Sequence, residues 1–368
     1  MASKTYSFKA YGHPNILGTH MNTLEITKDK GVSERGNCII AVGADFSGTK
    51  ISEMAKQYGR LRVRLQVAGL TDETEFKANR DFSSDHEIVI RLGNFESERT
   101  LGTDATKSSK MLDRRMIEKM QTPGQEMTVV VEPVYKVIIF DLDGTLEDFD
   151  RGKFNAYEKL AEVFLKKYGL YPDTTVRILE DIDHENVIRG IGGNPESFDR
   201  RKWFPEFFRR AGLKVSKAEI DEYVRLYWKH TNEGAALLPG AKQAVAELRK
   251  RYHVVMMSDS DGPKPIKIER VRMLGMEKSF DYIITGDDVG QNKPSRKMYE
   301  KVFKRFGVKG RDCVMIGDKP WADLVLAKEL GMKTIWMRHG PWGNDGKQYD
   351  YVDHSINDLN DLCGLLEK

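Results

Sequence analysis

Cysteine is scarce in this sequence. Three residues, Cys38, Cys313 and Cys363, stand far apart among 368, and none falls in a CxxC pattern. That spacing supports neither a disulfide framework nor a zinc site. Long hydrophobic runs are also missing: no apolar stretch approaches the ~20 residues that a bilayer-spanning helix needs, so no membrane partner is expected. Nor is one sign of charge in excess, since 59 Lys+Arg face 56 Asp+Glu for a net of +3. The balance holds locally, at 19 basic against 18 acidic over 1–134 and 40 against 38 over 135–368. Nucleic-acid binding by bulk phosphate attraction is therefore not expected. Met1 to Lys9 carry no apolar core of a signal peptide, and a reducing cytoplasm is the expected setting. What is present is 40% hydrophobic residues, enough to exclude disorder throughout and to fill about two domains.

Residues 1–133 read as a β-rich α+β domain. Asn37–Val42, Leu61–Ala68, Glu87–Leu92 and Met127–Val131 are short and β-prone, with turn residues between them. Met111, Leu112, Arg115, Met116 and Met120 suggest one helix over about 108–120, ended by Thr122-Pro123-Gly124. The Arg60, Arg62, Arg64 alternation reads as the solvated face of a strand.

A different pattern starts near Val134. Continuous apolar runs at Val137–Phe140, Val254–Met257, Tyr282–Ile284, Val314–Ile316 and Thr334–Met337 alternate with amphipathic helices. These are the marks of a Rossmann-like, doubly wound α/β core with a parallel sheet. The core is expected over 134–148 and 239–368. Between them, 149–238 reads as an inserted helical cap, with stripes Phe154, Tyr157, Ala161, Phe164, Tyr168 and Ile220, Tyr223, Val224, Tyr227, Trp228 as its core.

Chemistry-bearing residues cluster where these strands end. Asp141-Leu142-Asp143-Gly144-Thr145 follows the first run directly. A carboxylate there is able to attack phosphorus, and a second is able to pass a proton to the leaving oxygen. Ser258 and Asp259 end the second run, Lys293-Pro294 is placed at a helix start, and Asp318 and Asp323 follow the fourth. Together they form an oxygen-rich set suited to Mg²⁺.

These four elements, in this order, resemble the haloacid dehalogenase-like hydrolase superfamily over about residues 135–340, in the branch with a helical cap between its first two motifs. The resemblance implies that Asp141 is the nucleophile and a Mg²⁺ ligand. It implies that Asp143 is the general acid/base, with its backbone carbonyl on the metal. Ser258, Asp259 and Lys293 would serve the phosphoryl group, and Asp318 and Asp323 the metal. Dehalogenases of the group generally lack an Asp at the place of Asp143, which favours phosphoryl transfer. The implied function is a Mg²⁺-dependent phosphatase of a small phosphorylated metabolite, working through an aspartyl-phosphate. A phosphomutase or pyrophosphate hydrolase with the same nucleophile, or a binding protein with a vestigial site, are the alternatives.

Selectivity is expected to lie in the cap. The run Arg189–Pro195 reads either as a loop over the site, with Arg189 contacting an anionic substrate, or as a helix terminus closed by glycines. Arg200, Arg201 and Lys202 read as a solvated helix start. Residues 8–132 resemble an archaeal domain family of unassigned function, through Gly12-His13-Pro14-Asn15, Thr19-His20, Arg35 to Asp45 and Ser97-Glu98-Arg99-Thr100. His13, His20, Asp45 and His86 lack a known zinc spacing and read as structural or surface residues. Oligomeric state is not legible.

Overall fold

The computed structural model describes residues 5–190, 193–340, 343 and 346–367. The chain divides into two compact units, Met1–Lys136 with Gly364–Lys368, and Val137–Cys363.

The first unit holds β1 (Tyr6–Tyr11), β2 (Thr23–Thr27), β3 (Ile39–Ala41), α1 (Gly48–Gln57), β4 (Arg60–Val67), β5 (Leu70–Ala78), β6 (Glu87–Arg91), β7 (Thr100–Thr103), α2 (Arg114–Met120) and β8 (Glu126–Pro133). The strands form one sheet in the order β1-β8-β4-β5-β7-β6-β2-β3. Tyr11, at the end of β1, exchanges backbone hydrogen bonds of 2.7 and 2.9 Å with Val42, just beyond β3, so the two edges meet there. Such closure removes unpaired edge groups at that end. Leu61, Val63, Leu65 and Val67 of β4 and Met127, Val129 and Val131 of β8 are buried on one face. α2 is shorter than the expected helix, because Ser109–Met111 forms a separate 3₁₀ turn and Asp113 caps α2 through its side chain.

The solvated-face reading of the β4 arginines does not hold. Arg62 is only 1% exposed and meets Glu75 at 2.7 Å, Glu132 at 3.5 Å and Glu73 at 3.8 Å. Arg64 also pairs with Glu132. Cross-strand carboxylates from β5 and β8 convert an exposed-looking stripe into a buried ion cluster.

The second unit is built on six parallel strands: β9 (Val137–Phe140), β10 (His253–Ser258), β11 (Tyr282–Thr285), β12 (Cys313–Gly317), β13 (Lys333–Met337) and β14 (His354–Ile356). Their order is β11-β10-β9-β12-β13-β14. β9 is central, with β10 on one side and β12 on the other. The order reverses there, which opens a crevice at the carboxyl ends of β9, β10 and β12. Four helices, α3 (Phe149–Tyr168), α4 (Pro172–Gly190), α5 (Arg200–Arg210) and α6 (Lys217–Gly234), lie between β9 and β10 in sequence. α7 (Ala241–Arg249) follows them and leads into β10, and α8 (Lys264–Met273), α9 (Arg296–Phe306) and α10 (Val325–Glu329) connect the later strands.

The inserted helices share an aromatic core of Tyr157, Phe164, Trp203, Phe204, Phe207, Phe208, Tyr223 and Tyr227. α6 begins with a capping box in which Ser216 and Glu219 satisfy each other's backbone N–H groups. α3 ends at Gly169, whose φ of 67° closes the helix in the left-handed region. Phe154 departs from the core reading of its stripe: it is exposed and lines the cavity described below.

Candidate active site

β9 delivers Asp141 as its first residue past the strand, anchored by its N–H donating to the carbonyl of Ile316 on β12 at 2.9 Å. β12 then delivers Asp318, and the helical turn Pro320–Leu324 delivers Asp323. These three carboxylates each place an oxygen within 4.8 Å of the others, and all three are buried. Lys293 bridges two of them, with Nζ 2.6 Å from Asp141 Oδ1 and 2.7 Å from Asp323 Oδ1.

Supporting bonds fix this group. The Lys293 N–H donates to Asp259 Oδ1 at 2.7 Å, the Lys319 N–H to Asp323 Oδ2 at 3.0 Å, and Trp336 Nε1 to the Asp318 carbonyl at 2.9 Å. Lys293 lies in the loop before α9, which starts three residues later at Arg296, so the expected helix-start placement is not what positions it. Burial raises the Asp141 carboxyl above its usual range, with Lys293 working against that rise. Burial likewise raises Asp318 and Asp259. For Lys293 burial works against the charge, but Asp141, Asp323 and Asp259 outweigh it and raise its pKa.

Two buried polar atoms in this group lack partners, Ser258 Oγ and Asp318 Oδ1. Buried polar groups in native proteins are nearly always satisfied, so orphans at a strand-end cluster mark places for a ligand. A set of three carboxylates fits a hard divalent cation such as Mg²⁺, which takes a few carboxylates and completes its shell with water and phosphate oxygens.

Asp143 is in a different electrostatic setting. Its side chain turns to α8, where Oδ2 lies 2.7 Å from Lys267 Nζ and Oδ1 lies 2.5 Å from an Arg270 nitrogen. Arg270 also holds Glu147 at 2.7 Å and Asp261 at 2.6 Å, and Lys267 lies 3.0 Å from Asp261. Burial opposes ionisation of Asp143, but Arg270 and Lys267 overcome it and hold the carboxyl far below the usual range. Burial pushes Glu147 the other way, up to about 7. Gly144, the next residue, has a φ of +82°, and a Cβ there would stand 2.3 Å from Asp318 Oδ2, so only glycine fits this close approach.

A cavity of about 470 Å³ runs from these strand ends to the inserted helices. Asp143, Asp259, Lys293, Asp318 and Lys319 line its core end; Phe154, Asp183 and Arg200 line its helical end. Arg189 is not among its lining residues. It is 68% exposed, 3.5 Å from Glu185, and lines a second cavity on α4 and α5 instead. Ile191 and Gly192, within the run singled out beside it, lie outside the described residues. Arg201 and Lys202 are exposed as expected, but Arg200 is buried.

Sequence reasoning missed Lys267, Arg270, Asp261, Glu147 and Arg200. Lys267 and Arg270 are three apart in the charge-rich run Lys264–Met273, which signals only a helix face. Among the described residues, His13, His20, Asp45 and His86 do not gather into a ligating group. His13 and His20 instead accept the N–H groups of Asn15 and Asn22, each at 3.2 Å.

Acidic and basic side chains gathered at the carboxyl ends of a doubly wound parallel sheet define a hydrolase-type α/β site. Residues 135–331 match the haloacid dehalogenase-like hydrolase family, and the chain belongs to it. Residues 8–134 match a domain of unknown function, DUF371. A glyceraldehyde 3-phosphate phosphatase of Pyrococcus furiosus is 30% identical over 63% of this chain and 93% of its own length. An uncharacterized protein of Methanocaldococcus jannaschii is 34% identical over 36% of this chain and 98% of its own. The solved structure of a HAD-hydrolase from Bacillus subtilis shares the fold of 63% of this chain and 98% of that one, with a TM-score of 0.51 at 21% identity.

Proposed function

We propose that the chain is a Mg²⁺-dependent phosphatase of a small phosphorylated metabolite, with residues 149–238 acting as a cap over the catalytic core. The observation that carries this reading is the convergence of Asp141, Lys293, Asp318 and Asp323 beside the unpartnered Ser258 hydroxyl. The phosphatase name of the Pyrococcus furiosus relative supports the same class of substrate.

In this reading an Asp141 carboxylate oxygen attacks phosphorus, the bond to the ester oxygen breaks, and an aspartyl-phosphate forms. Ser258 and Lys293 donate to the phosphoryl oxygens. Asp143 gives the leaving oxygen its proton and later takes one from the water that attacks phosphorus and frees Asp141. Both Asp143 oxygens sit on cations that hold it ionised in this structure, so one contact with Lys267 or Arg270 has to open and the carboxylate has to take up a proton from water before it passes one to the leaving oxygen. Asp141, Asp318 and Asp323 would hold Mg²⁺, with the Asp143 carbonyl as a further ligand. When bound, the ion supplies positive charge against the developing charge on the phosphoryl oxygens.

The test is hydrolysis of p-nitrophenyl phosphate and of alkyl phosphates with Mg²⁺, comparing wild type with Asp141→Asn. Turnover in wild type, abolished by EDTA and by Asp141→Asn, is expected. A wild type inactive on every phosphate ester tried, or an Asp141→Asn variant as active as wild type, would overturn the reading.

A further inference from the structure

Among the described residues three arginines are buried almost completely, and they differ in one respect. Arg62 and Arg270, each 1% exposed, are both surrounded by three carboxylates. Arg200, 3% exposed, has no carboxylate within 4.0 Å among the described residues. It is also the one of the three that lines the cavity leading to Asp143 and Lys293.

The guanidinium of Arg200 is held by neutral groups. One terminal nitrogen donates to the Phe198 carbonyl at 2.7 Å and the other to the Tyr227 hydroxyl at 2.9 Å. Its carbon lies over the ring of Trp203 at 3.7 Å, of Tyr227 at 4.8 Å and of Trp228 at 5.1 Å. Nε is buried and has no partner. Aromatic faces soften the cost of desolvating a cation but do not neutralise it, and a guanidinium does not discharge itself by losing a proton. The acidic neighbour on the same wall, Asp183, is committed to Lys153 at 2.9 Å, which also meets Asp150 at 2.8 Å. A permanently charged, pre-positioned donor with no anion of its own is built to receive one from outside.

Resting on the phosphatase reading, we propose that Arg200 receives a second anionic group of the substrate, a carboxylate or a second phosphate, at the end of the cavity opposite Asp141. The ester phosphate occupies the core end, the phenyl ring of Phe154 flanks the connecting carbons, and the distal oxyanion meets the free Nε–H edge of Arg200. Substrates are then small organic phosphates carrying two separated anions, and uncharged-tail phosphates are discriminated against.

The test is calorimetric titration of the full chain with Mg²⁺ and non-hydrolysable phosphonates of two to five carbons. Three series end in a carboxylate, a second phosphonate or a hydroxyl. At one chain length an anionic tail is expected to bind about tenfold tighter than the hydroxyl tail or better. The tail that wins separates a carboxylate substrate from a bisphosphate. In Arg200→Gln that ratio is expected to fall close to one, and in Arg200→Lys to persist in part, because the charge stays while the fork is lost. The wild-type ratio needs no variant to fold. Equal affinity for all three tails at every length, or an unchanged ratio in Arg200→Gln, overturns the proposal. Turnover of p-nitrophenyl phosphate is measured separately, so loss of the phosphatase reading and loss of the Arg200 assignment give different results.

Discussion

Arg270→Met is the perturbation that probes the site hardest, because one guanidinium serves three carboxylates. It reaches Asp143, Asp261 and Glu147 at 2.5–2.7 Å and stacks over Phe149 at 4.4 Å. Methionine preserves length and much of the packing but leaves Lys267 as the only cation against three acids. Removing one partner from a buried ion pair costs ~3–5 kcal/mol, because the other charge stays desolvated and unpaired. Against a domain stability of ~5–15 kcal/mol, this is a large share. All five tryptophans lie between positions 203 and 342, so tryptophan fluorescence in a urea titration reports the second unit without the first. A lower urea midpoint at unchanged slope is expected. Glu147→Gln in the same chain should recover at least about 1 kcal/mol, since it removes one unpaired acid. Activity carries a second signature. Release of an alkoxide depends on a proton from Asp143 far more than release of p-nitrophenolate does. The variant should therefore lose more on alkyl phosphates than on p-nitrophenyl phosphate. A stability loss below about 1 kcal/mol would refute the tight-cluster argument. Equal losses on both ester types would refute the idea that Arg270 positions Asp143.

Other perturbations read other parts of the chain. Gly317→Ala places a Cβ 2.4 Å from Asp323 Oδ2, so turnover should fall sharply, with a stability loss of ~1–3 kcal/mol from overpacking measurable in the same urea assay. Arg62→Met should destabilise the first unit by ~3–5 kcal/mol, seen as faster hydrogen exchange in β4, β5 and β8. Burial and a hydrogen bond to Glu87 push the Glu25 carboxyl up to about 7 from 4.5. A raised acid is stabilised in its protonated form, so the contribution, up to about 3 kcal/mol, is complete below pH 4.5 and is lost as pH rises through 7. Protection of β2 and β6 amides, corrected for intrinsic exchange, should fall over that window and lose its pH dependence in Glu25→Gln. Burial, with Glu25 beside it, also pushes the Cys38 thiol up to about 12. Its alkylation by iodoacetamide at pH 8 should be slow, which mass spectrometry of the labelled chain checks.

The strands that carry the site were legible because each is a short, uninterrupted apolar run. Val137–Phe140, Cys313–Gly317 and Lys333–Met337 are buried on both faces, and such runs leave little other interpretation. β14 (His354–Ile356) escaped because a three-residue edge strand has no period to detect. In the first unit β1, β2, β5 and β7 were missed. β2 shows why: Thr23, Glu25 and Thr27 are buried as well as Leu24 and Ile26, so polarity did not mark its solvent face. Of the site, Asp141 and Asp318 were visible because each sits just past a strand end, and Asp323 and Lys293 because they lie in the segments that follow β12 and β11. Arg200 and Arg270 were not, because a buried arginine and a surface arginine look identical in sequence. Only the partners that fold around them, aromatic rings for one and carboxylates for the other, separate the two.

A chain with a net charge of +3 has no global field to draw in a phosphate ester, so the work falls to local arrangements. Asp141 and Asp143 show how local these are. Two residues apart, they contact different cations: Asp141, Asp259, Asp318 and Asp323 gather around Lys293 and Lys319, while Lys267 and Arg270 stand against Asp143, Asp261 and Glu147. The first has more acid than cation, which suits a divalent metal and a phosphoryl group arriving together. The second is already nearly balanced, which suits holding a carboxylate in one orientation until a leaving oxygen competes for it. The left-handed turn at Gly144 serves the first cluster, since any side chain there would collide with Asp318.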